Sequence, residues 1–405
     1  MYDAIVVGAR CAGAPTAMLL ARRGRRVLLV DRADFPSDTL SGHAIQPAGV
    51  AALARWGLLD RLVATGVPAV ETMTFDVGPI AITGTPPAVD GISQMYVPRR
   101  TVLDALLVDA AAESGVEVRE RFSVKDLLFE GDRVVGVRGR DANGRAVEER
   151  AALVIGADGK NSFVARSVGA RTYAEQPAPT VAAYSYWNGV DVAGGELYVR
   201  PNRFIVAVPT HDDLVIVAQA VALADAAEYR ADIESAFTAS LELAPSLAQR
   251  IAAGHRVERF RFTTETDGFF RVPIGPGWAL VGDAGYHKDP ITAQGMRDAF
   301  RDAELLADAI DRGLGMEVAA GLDTALATYH HVRDASARPM YDFTCRLAHV
   351  EEPPPPEMQA LLAALPGNQA EIDRFFGIMA GTVAIDDFLS PASVGRIMAS
   401  ATTAA

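Results

Sequence analysis

Residues 2–31 read YDAIVVGARCAGAPTAMLLARRGRRVLLVD, and they decide the fold of the chain. Residues 3–7 form a nearly continuous apolar run, which is typical of a fully buried parallel strand. Apolar residues at helical spacing continue from Ala12 to about Leu20, and Gly24 suits the residue that stops such a helix. A second apolar run then ends at Asp31, so the stretch predicts a βαβ unit.

The glycine turn and the final acid of this unit suit a dinucleotide. Gly8 permits a tight turn after the strand, while Gly13 and Ala17 allow close packing of helix and sheet. The helix N-terminus then offers N–H groups to a pyrophosphate, and Asp31 can accept a hydrogen bond from a ribose hydroxyl. The alternative is a βαβ unit in which the glycines serve only the turn.

Arg10 stands where the G-x-G-x-x-G pattern has its middle glycine. Two outcomes remain open at this position. The side chain of Arg10 can turn away and leave the backbone accessible to phosphates, or it can pair with the phosphates itself.

A second informative stretch, Gly282–Ala299, reads GDAGYHKDPITAQGMRDA. An apolar run ends at Asp283, a loop that contains Pro290 follows, and a long amphipathic helix begins. A helix N-terminus carries unpaired N–H groups and a partial positive charge. The stretch therefore predicts a site for a polar ligand.

Between and beyond these stretches, the pattern predicts two kinds of region. A helix is expected at 99–114 and strands at 116–120, 122–130, 133–140 and 145–151, before a strand, turn and short helix at 151–166. Aromatic-rich strands at 176–224, with a turn at 211–213, predict a separate antiparallel sheet. Helices at 34–66 and 225–252, a strand at 255–265, helices at 293–347 and a last helical segment after the proline run EEPPPPE complete the pattern.

Composition excludes several classes of protein. The net charge of −13 argues against a nucleic-acid footprint. Cys11 and Cys345 are the only cysteines, which favours a reducing compartment and no disulfide framework. Met1 leads directly into a strand and the apolar runs are too short to span a bilayer, so we expect a cytoplasmic protein without stable membrane insertion. No metal site is predicted.

Three motifs follow one another in register, and together they carry a family resemblance. They are Gly8 and Gly13 with Asp31; Gly156-Ala157-Asp158-Gly159 with Ser162 and Arg166; and Gly282-Asp283 with Pro290 and Gly295. In these motifs the chain resembles the FAD-dependent aromatic hydroxylases, the class A flavoprotein monooxygenases with the para-hydroxybenzoate hydroxylase fold. Flavin halogenases and geranylgeranyl reductases are related to that family. The W-x-W-x-I-P motif of the halogenases is absent, which argues against halogenation.

The resemblance implies an α/β fold. It consists of a Rossmann-type FAD-binding domain, an inserted antiparallel β-sheet substrate domain and a C-terminal helical segment. We expect the FAD-binding domain at 1–75, 98–175 and 265–345, the substrate domain at 76–97 and 176–264, and the C-terminal segment at 346–405.

The resemblance also implies roles for individual residues. The pyrophosphate would lie at the glycine turn, Asp31 would hold the adenosine ribose, Asp283 the ribityl chain, and the backbone of Gly295 and Met296 the flavin ring. The Asp158-Gly159 pair is linked to both FAD and the nicotinamide cofactor. The full implied cofactor-binding set is Gly8, Arg10, Gly13, Ala14, Asp31, Arg32, Arg100, Val124, Asp158, Gly159, Asp283, Pro290, Gly295 and Met296.

The candidate catalytic residues lie mainly where the chain departs from its relatives, at Tyr286, His287 and Lys288, with His43 in a loop that approaches the flavin in the family. Three of them have a non-catalytic alternative: loop hydrogen bonding for His287, a solvent-exposed loop position for Lys288 and helix capping for His43. Tyr184 and Tyr186 share one face of a predicted strand and Trp187 the other, so that one face can line an aromatic pocket or pack as core. Phe375 and Phe376 can cap the substrate cavity or pack.

The implied activity is an NAD(P)H- and O2-dependent monooxygenase that hydroxylates or epoxidises a small aromatic or polyketide-like substrate through a flavin C4a-hydroperoxide. Small-molecule substrate and O2 are the expected partners. One alternative is an FAD-dependent reductase of the geranylgeranyl reductase type. The other is a redox-inert FAD-binding protein.

Overall fold

A mostly parallel sheet, called here the first sheet, carries the opening βαβ unit. The computed structural model describes residues 1–315 and 321–404, with side chains to residue 400. Residues 316–320, within the predicted helical region 293–347, and residue 405 lie outside the described residues. The order of the strands is Ile274–Gly275, Trp278–Leu280, Ala146–Gly156, Tyr2–Val7, Val27–Val30 and Glu117–Arg119.

Alternate residues of each strand point to opposite faces of the first sheet, and helices cover one of these faces. Ala4, Val6 and Leu29 pack on the helical side, whereas Ile5 and Leu28 pack on the other side. The helices that share the core on this side are Gly13–Ala21, Pro47–Arg55, Leu59–Val63, Arg100–Glu113, Gly295–Leu314 and the first part of Gly321–Leu347. The predicted βαβ unit and its buried strands are confirmed.

An antiparallel hairpin covers part of the opposite face. Its strands are Ser123–Glu130 and Arg133–Arg140, close to the predicted limits. Ala146–Gly156 pairs antiparallel with this hairpin through its first half and parallel with Tyr2–Val7 through its second half. The prediction of two separate elements at 145–151 and 151–156 was therefore wrong, because pairing with two partners in succession needs no break in the strand. The short helix Phe163–Ser167 follows.

The second sheet is formed by the predicted inserted strands. Its order is His255–Arg256, Thr180–Asn188, Leu214–Ala222, Arg203–Pro209, Gly195–Arg200, Met73–Asp76 and Ala81–Gly84, with Arg261–Thr263 also beside Thr180–Asn188. The strand predicted at 255–265 is thus two short strands. Met73–Asp76 pairs parallel with Gly195–Arg200, so the domain boundary expected after residue 75 falls within this strand.

Helices pack on one face of the second sheet, and they are Ala226–Ala231, Ile233–Leu241 and Pro245–Ala253. Trp187 lies in the core beneath them and stacks on Phe237, whereas Tyr184 and Tyr186 pack on the opposite face. The predicted alternation along this strand is confirmed. It leaves the tyrosine face of the sheet turned toward the rest of the chain.

Two small sheets join the larger layers. One contains Thr172–Gln176, Gly268–Arg271 and Tyr286–His287, and the other pairs Ala69–Val70 with Met95–Tyr96. Short 3-10 turns at Leu223–Asp225 and Pro290–Thr292 link strands to helices, and one at Gly282–Ala284 links two strands.

Helices end the chain, as predicted. They are Gly321–Leu347, Pro356–Ala364, Gln369–Ala380, Ile385–Phe388 and Pro391–Ala404. Ile82, from the edge of the second sheet, lies in one apolar cluster with Phe376 and Phe388, so the last helices dock on that edge. Across residues 1–315 and 321–404, no helix combines the length and apolar composition that crossing a bilayer requires.

Candidate functional site

One large cavity, of about 1270 Å³, extends from the opening glycine turn to the tyrosine face of the second sheet. It lies at the carboxyl ends of the first-sheet strands, where open α/β sheets bind ligands. Most of the predicted site residues line it, namely Gly8, Arg10, Asp31, Arg32, His43, Arg100, Val124, Asp158, Gly159, Asp283, Tyr286, His287, Lys288, Pro290, Gly295 and Met296. Gly13 and Ala14 are buried behind the lining.

The glycine turn leaves no room for side chains. A Cβ at Gly13 would lie 1.8 Å from the carbonyl oxygen of Gly8, and one at Gly8 would lie 2.5 Å from that of Ala157. Gly8 also has a φ of +101°, which L side chains rarely adopt. The glycines therefore let the turn pack tightly against neighbouring backbone, and Gly8 in this turn lines the cavity.

Asp31 braces this turn from the end of the second strand. Its carboxylate accepts hydrogen bonds from the backbone N–H of Ala9, at 2.7 Å, and of Ala33, at 2.8 Å. A carboxylate has about four acceptor positions, so Asp31 keeps capacity for a ribose hydroxyl.

Arg10 turns away from the cradle. Its guanidinium pairs with Asp104 at 2.5 Å and donates to the Ser37 carbonyl at 3.2 Å. Arg100 binds the same carboxylate through Nε and Nη2 at 2.9–3.0 Å. Of the two outcomes left open for Arg10, the geometry favours the one in which the backbone stays free for phosphates.

Asp158 caps the short helix that follows it. Its carboxylate accepts from the Ser162 hydroxyl at 2.5 Å and from the backbone N–H of Phe163 at 2.6 Å. Burial raises the pKa of Asp158, while these hydrogen bonds oppose the rise. The carboxylate of Asp158 therefore stabilises the turn that precedes the helix, and residues of this turn line the cavity.

Asp283 differs from the other acids of the site. It follows the buried strand Trp278–Leu280 and is exposed within the cavity lining. No residue within 1–315 or 321–400 is seen to donate a hydrogen bond to its carboxylate. The acid is thus available to a ligand with hydroxyl groups.

The loop from Tyr286 to Asp289 uses most of its polar groups internally. Lys288 forms a buried ion pair with Asp298, and the Tyr286 hydroxyl accepts from Arg301 at 3.1 Å. Asp289 accepts from Ile291 N–H at 2.9 Å and from the Thr180 hydroxyl. These contacts favour a structural role for Tyr286 and Lys288.

His287 is the exception in that loop. Its Nδ1 lies 2.7 Å from the carbonyl oxygen of Asp267, and its ring stacks on Phe269. A carbonyl can only accept, so Nδ1 carries the proton and Nε2 is the acceptor in the neutral ring. Nε2 has no hydrogen-bond partner among the described residues.

His43 is held between two tyrosine rings and the cavity. Nε2 lies 2.7 Å from the Tyr186 hydroxyl and Nδ1 lies 2.5 Å from the Ser41 carbonyl. Burial and the nearby positive charge of Arg100 lower the pKa of His43 to about 4. His43 also has a φ of +62°, so a sparsely populated backbone conformation places the ring there.

The far wall of the cavity is apolar. The second sheet contributes Leu197, Phe204 and Val206, and the helix Gln369–Ala380 contributes Phe376 and Met379. Of the two phenylalanines singled out in the sequence, Phe376 lines the cavity. Phe375 instead packs against Phe75 and Phe388.

Two buried acids, Asp104 and Asp298, are important parts of the site that sequence reasoning missed. Asp104 lies four residues after Arg100 on one helix, a spacing that brings two side chains together. Asp298 lies in the first turn of the helix that starts at Gly295, where an acid is favourable. Both spacings could have been read from the sequence.

The site fits FAD by two observations. Gly8 lines the cavity in a turn so tight that a Cβ there would clash with the Ala157 backbone, and the unpaired carboxylate of Asp283 lies in the lining of the same cavity. A family model described as FAD binding domain matches residues 1–344.

Several curated proteins are similar in sequence over much of their length. A tryptophan 2-halogenase from Chondromyces crocatus is 26% identical over 81% of this chain and 64% of its own length, so the chain spans less than two thirds of that relative. Digeranylgeranylglycerophospholipid reductase 1 from Methanococcoides burtonii is 27% identical over 76% and 73%. A 6-methylpretetramide 4-monooxygenase from Streptomyces rimosus is 28% identical over 75% and 54%.

Solved structures share the fold. The myxobacterial chondrochloren halogenase CndH superposes with a TM-score of 0.80 at 24% identity, covering 99% of this chain and 97% of that one. Since the family model covers most of the chain and the predicted motifs lie around one cavity, the protein belongs to the FAD binding domain family and is an FAD-dependent oxidoreductase.

Proposed function

We propose that the protein is a monooxygenase that uses NAD(P)H and O2 to hydroxylate or epoxidise a small aromatic or polyketide-like substrate. The observation that carries the proposal is the continuity of the cavity from the dinucleotide cradle at Gly8 to the apolar wall at Phe376. Cofactor and substrate could therefore meet in one space with an apolar lining. The sequence similarity to a 6-methylpretetramide 4-monooxygenase supports the same reading.

Named residues of this chain would hold FAD. The backbone at Gly8 would receive the pyrophosphate, Asp31 the ribose and Asp283 the ribityl chain, while Gly295 and Met296 would lie at the flavin ring. When bound, FAD supplies the redox chemistry and the activation of oxygen. The N-terminus of Gly295–Leu314 would favour negative charge on the reduced ring.

The protein's own contribution would be to exclude water, position the substrate and move a proton. Leu197, Phe204 and Phe376 form an apolar wall that disfavours water. His287 would accept the proton of a phenolic substrate at Nε2, since Nδ1 already donates to Asp267.

The first experiment follows NADH and NADPH oxidation by FAD-loaded protein across a panel of phenols, indoles and polyketides, with ¹⁸O2 and with bromide present. Substrate-stimulated oxidation with one ¹⁸O atom in the product is the expected result. Absence of stimulation across the panel would reject the proposal. A requirement for an external flavin reductase weakens it, and a brominated product reassigns the protein to halogenation.

A second experiment tests His287. In the variant His287→Asn, the amide can keep the hydrogen bond to the Asp267 carbonyl but has no group at the Nε2 position. We expect FAD binding to persist while turnover of a phenol becomes dependent on added base or higher pH. An unchanged pH profile would return His287 to a purely structural role.

The second candidate is a reductase of the geranylgeranyl type. The apolar wall and the 27% identity to a digeranylgeranylglycerophospholipid reductase favour it. In the experiment above, this activity would consume reducing equivalents without incorporating ¹⁸O, and the product would gain two hydrogen atoms. A redox-inert protein would bind FAD and turn nothing over.

A further inference from the structure

We infer that the substrate is an uncharged, largely apolar molecule, selected by the wall that the second sheet and the helix Gln369–Ala380 form together. The inference rests on the proposed function for the location of the substrate, and it adds the chemical class. It assigns specificity to a helix that lies beyond residues 1–344, the part of the chain that the family model matches.

The side chains of this wall carry no charge. The second sheet contributes Leu197, Phe204, Val206 and Ile216, and the helix contributes Phe376 and Met379. Gln219 also borders the cavity, but its amide points to the opposite, helix-covered face of the sheet, where Nε2 donates to the Phe237 carbonyl at 3.0 Å and Oε1 accepts from Tyr229. An anion here would lose its hydration without gaining a partner, which is costly.

Several cations of the cavity lining already have carboxylate partners. Arg10 and Arg100 share Asp104, and Lys288 pairs with Asp298. The other lining cations lie outside the second sheet and the helix Gln369–Ala380: Arg32 and Lys160 follow first-sheet strands, Lys125 is on the hairpin strand Ser123–Glu130 and Arg166 is on the helix Phe163–Ser167. Lys160 also pairs with Asp267. Glu71, exposed just before the second sheet, would repel an anionic ligand.

Tyr184 contributes one polar group, its hydroxyl, to the lining of the cavity near this wall. Its hydroxyl oxygen accepts from the backbone N–H of Ser41 at 3.3 Å, and its proton has no acceptor within the described part of the chain. Tyr184 can therefore donate to one oxygen of a neutral ligand, such as a phenol or a ketone.

The test compares matched ligand pairs that differ by a carboxylate: 4-methylphenol with 4-hydroxybenzoate, and 2-naphthol with 6-hydroxy-2-naphthoate. Dissociation constants are measured by calorimetry on FAD-loaded protein without NAD(P)H. We expect the neutral member to bind at least about tenfold more tightly, which corresponds to about 1.4 kcal/mol. Equal or tighter binding of the carboxylates, or no binding of either pair, would overturn the inference.

Variants locate the selectivity. Met379→Lys gives the carboxylate a partner, so the ratio of dissociation constants, carboxylate over neutral ligand, should fall at least about tenfold. The matched Met379→Leu should leave this ratio unchanged. Phe376→Leu should weaken 2-naphthol binding at least threefold, by roughly 0.6 kcal/mol, and Phe375→Leu should not. If Met379→Lys leaves the preference intact, the wall does not set it.

The outcome is separable from that of the proposed function. Selective binding of neutral ligands without any oxidation keeps the substrate class and rejects the monooxygenase. Preferred oxidation of the carboxylates keeps the monooxygenase and rejects the substrate class.

Discussion

The hydroxyl of Tyr186 lies 2.7 Å from Nε2 of His43, on the far side of the imidazole from the Ser41 carbonyl. Nδ1 of His43 donates to the Ser41 carbonyl, so Nε2 accepts the Tyr186 proton and the ring is neutral. A proton added at Nε2 would force the Tyr186 hydroxyl to turn and accept, and it would place a charge in a buried site beside Arg100. The pair therefore links the stability of the site to pH.

We predict that protonation of His43 destabilises the fold in acid. Burial lowers its pKa from 6.5 to about 4, whereas in the unfolded chain it titrates near the ordinary value. Between these values the unfolded state binds more protons, so stability falls as pH falls. The loss approaches about 3 kcal/mol by pH 4.

The measurement is the free energy of unfolding in urea at pH 7 and at pH 4. His43→Asn removes the titrating group, and asparagine tolerates the positive φ. Between pH 7 and pH 4, the free energy of unfolding of this variant should therefore fall by about 3 kcal/mol less than that of the wild type. His349→Gln, at an exposed histidine, serves as the matched control and should follow the wild type. Parallel pH profiles for wild type and His43→Asn would disprove the linkage.

The ion pair between Lys288 and Asp298 predicts an asymmetric response to mutation. Asp298 also contacts Arg301 at 2.9 Å and Arg297 at 3.8 Å, so Lys288→Met leaves the carboxylate paired. Asp298→Asn leaves the buried ammonium of Lys288 without a counter-charge, because the amide oxygen and the Tyr286 hydroxyl, at 3.4 Å, are both neutral. We expect Asp298→Asn to cost about 3–5 kcal/mol and Lys288→Met clearly less.

Urea unfolding of the FAD-free variants, followed by circular dichroism, measures both losses. Arg338→Met removes an exposed partner of Asp342 and should cost less than about 1 kcal/mol, which calibrates the effect of losing any ion pair. Equal losses for Lys288→Met and Asp298→Asn would mean that the arginines do not share the charge of Asp298.

Gly295 separates cofactor binding from folding. A Cβ at this position would meet no protein atom within 4 Å, and the residue lines the cavity at the start of a helix. Gly295→Ala should therefore leave the FAD-free protein equally stable or up to about 1 kcal/mol more stable. Its methyl group would occupy space assigned to the flavin, so FAD affinity should fall at least about tenfold.

Thermal unfolding and fluorescence titration with FAD test both halves of that prediction. Gly395→Ala, also in a helix and also without atoms near its Cβ, should stabilise in the same way without changing FAD affinity. If Gly295→Ala binds FAD as tightly as the wild type, the flavin ring does not lie at this helix N-terminus.

Local patterns in the sequence were sufficient for the first sheet and its turn. Gly8, Gly13 and Asp31 act within one βαβ unit, where spacing and residue size determine the geometry. The alternation of Tyr184 and Trp187 was likewise predictable, because strand periodicity alone assigns them to opposite faces.

Long-range partners could not be predicted in the same way. The direction of Arg10 depends on Asp104, which is 94 residues away, and the pairing of Met73–Asp76 with Gly195–Arg200 crosses more than a hundred residues. The loop at Tyr286 and Lys288 resembled a catalytic cluster in the sequence because the partners of these two side chains were not recognised. Those partners, Asp298 and Arg301, lie on the next helix. Titratable residues in a loop therefore suggest chemistry only after their buried partners are known.

Asp283 provides the most direct test of the cofactor site. It is exposed in the cavity, and nothing in the described residues donates a hydrogen bond to its carboxylate, so the fold does not depend on it. Asp283→Ala should retain wild-type stability without FAD and should bind FAD about 10- to 100-fold more weakly, as expected for loss of a charged hydrogen bond. The FAD affinity of Asp283→Asn should lie between those of the wild type and Asp283→Ala, because the amide oxygen can still accept a hydrogen bond.

The measurement is FAD retained through gel filtration, followed by titration of the FAD-free protein. Asp132→Ala, at an exposed turn remote from the cavity, controls for the loss of one negative charge. Full retention of FAD by Asp283→Ala would contradict the assignment, and the acid nearest the ribityl chain would then have to be sought elsewhere in the lining. A parallel loss of stability would instead assign Asp283 to the fold.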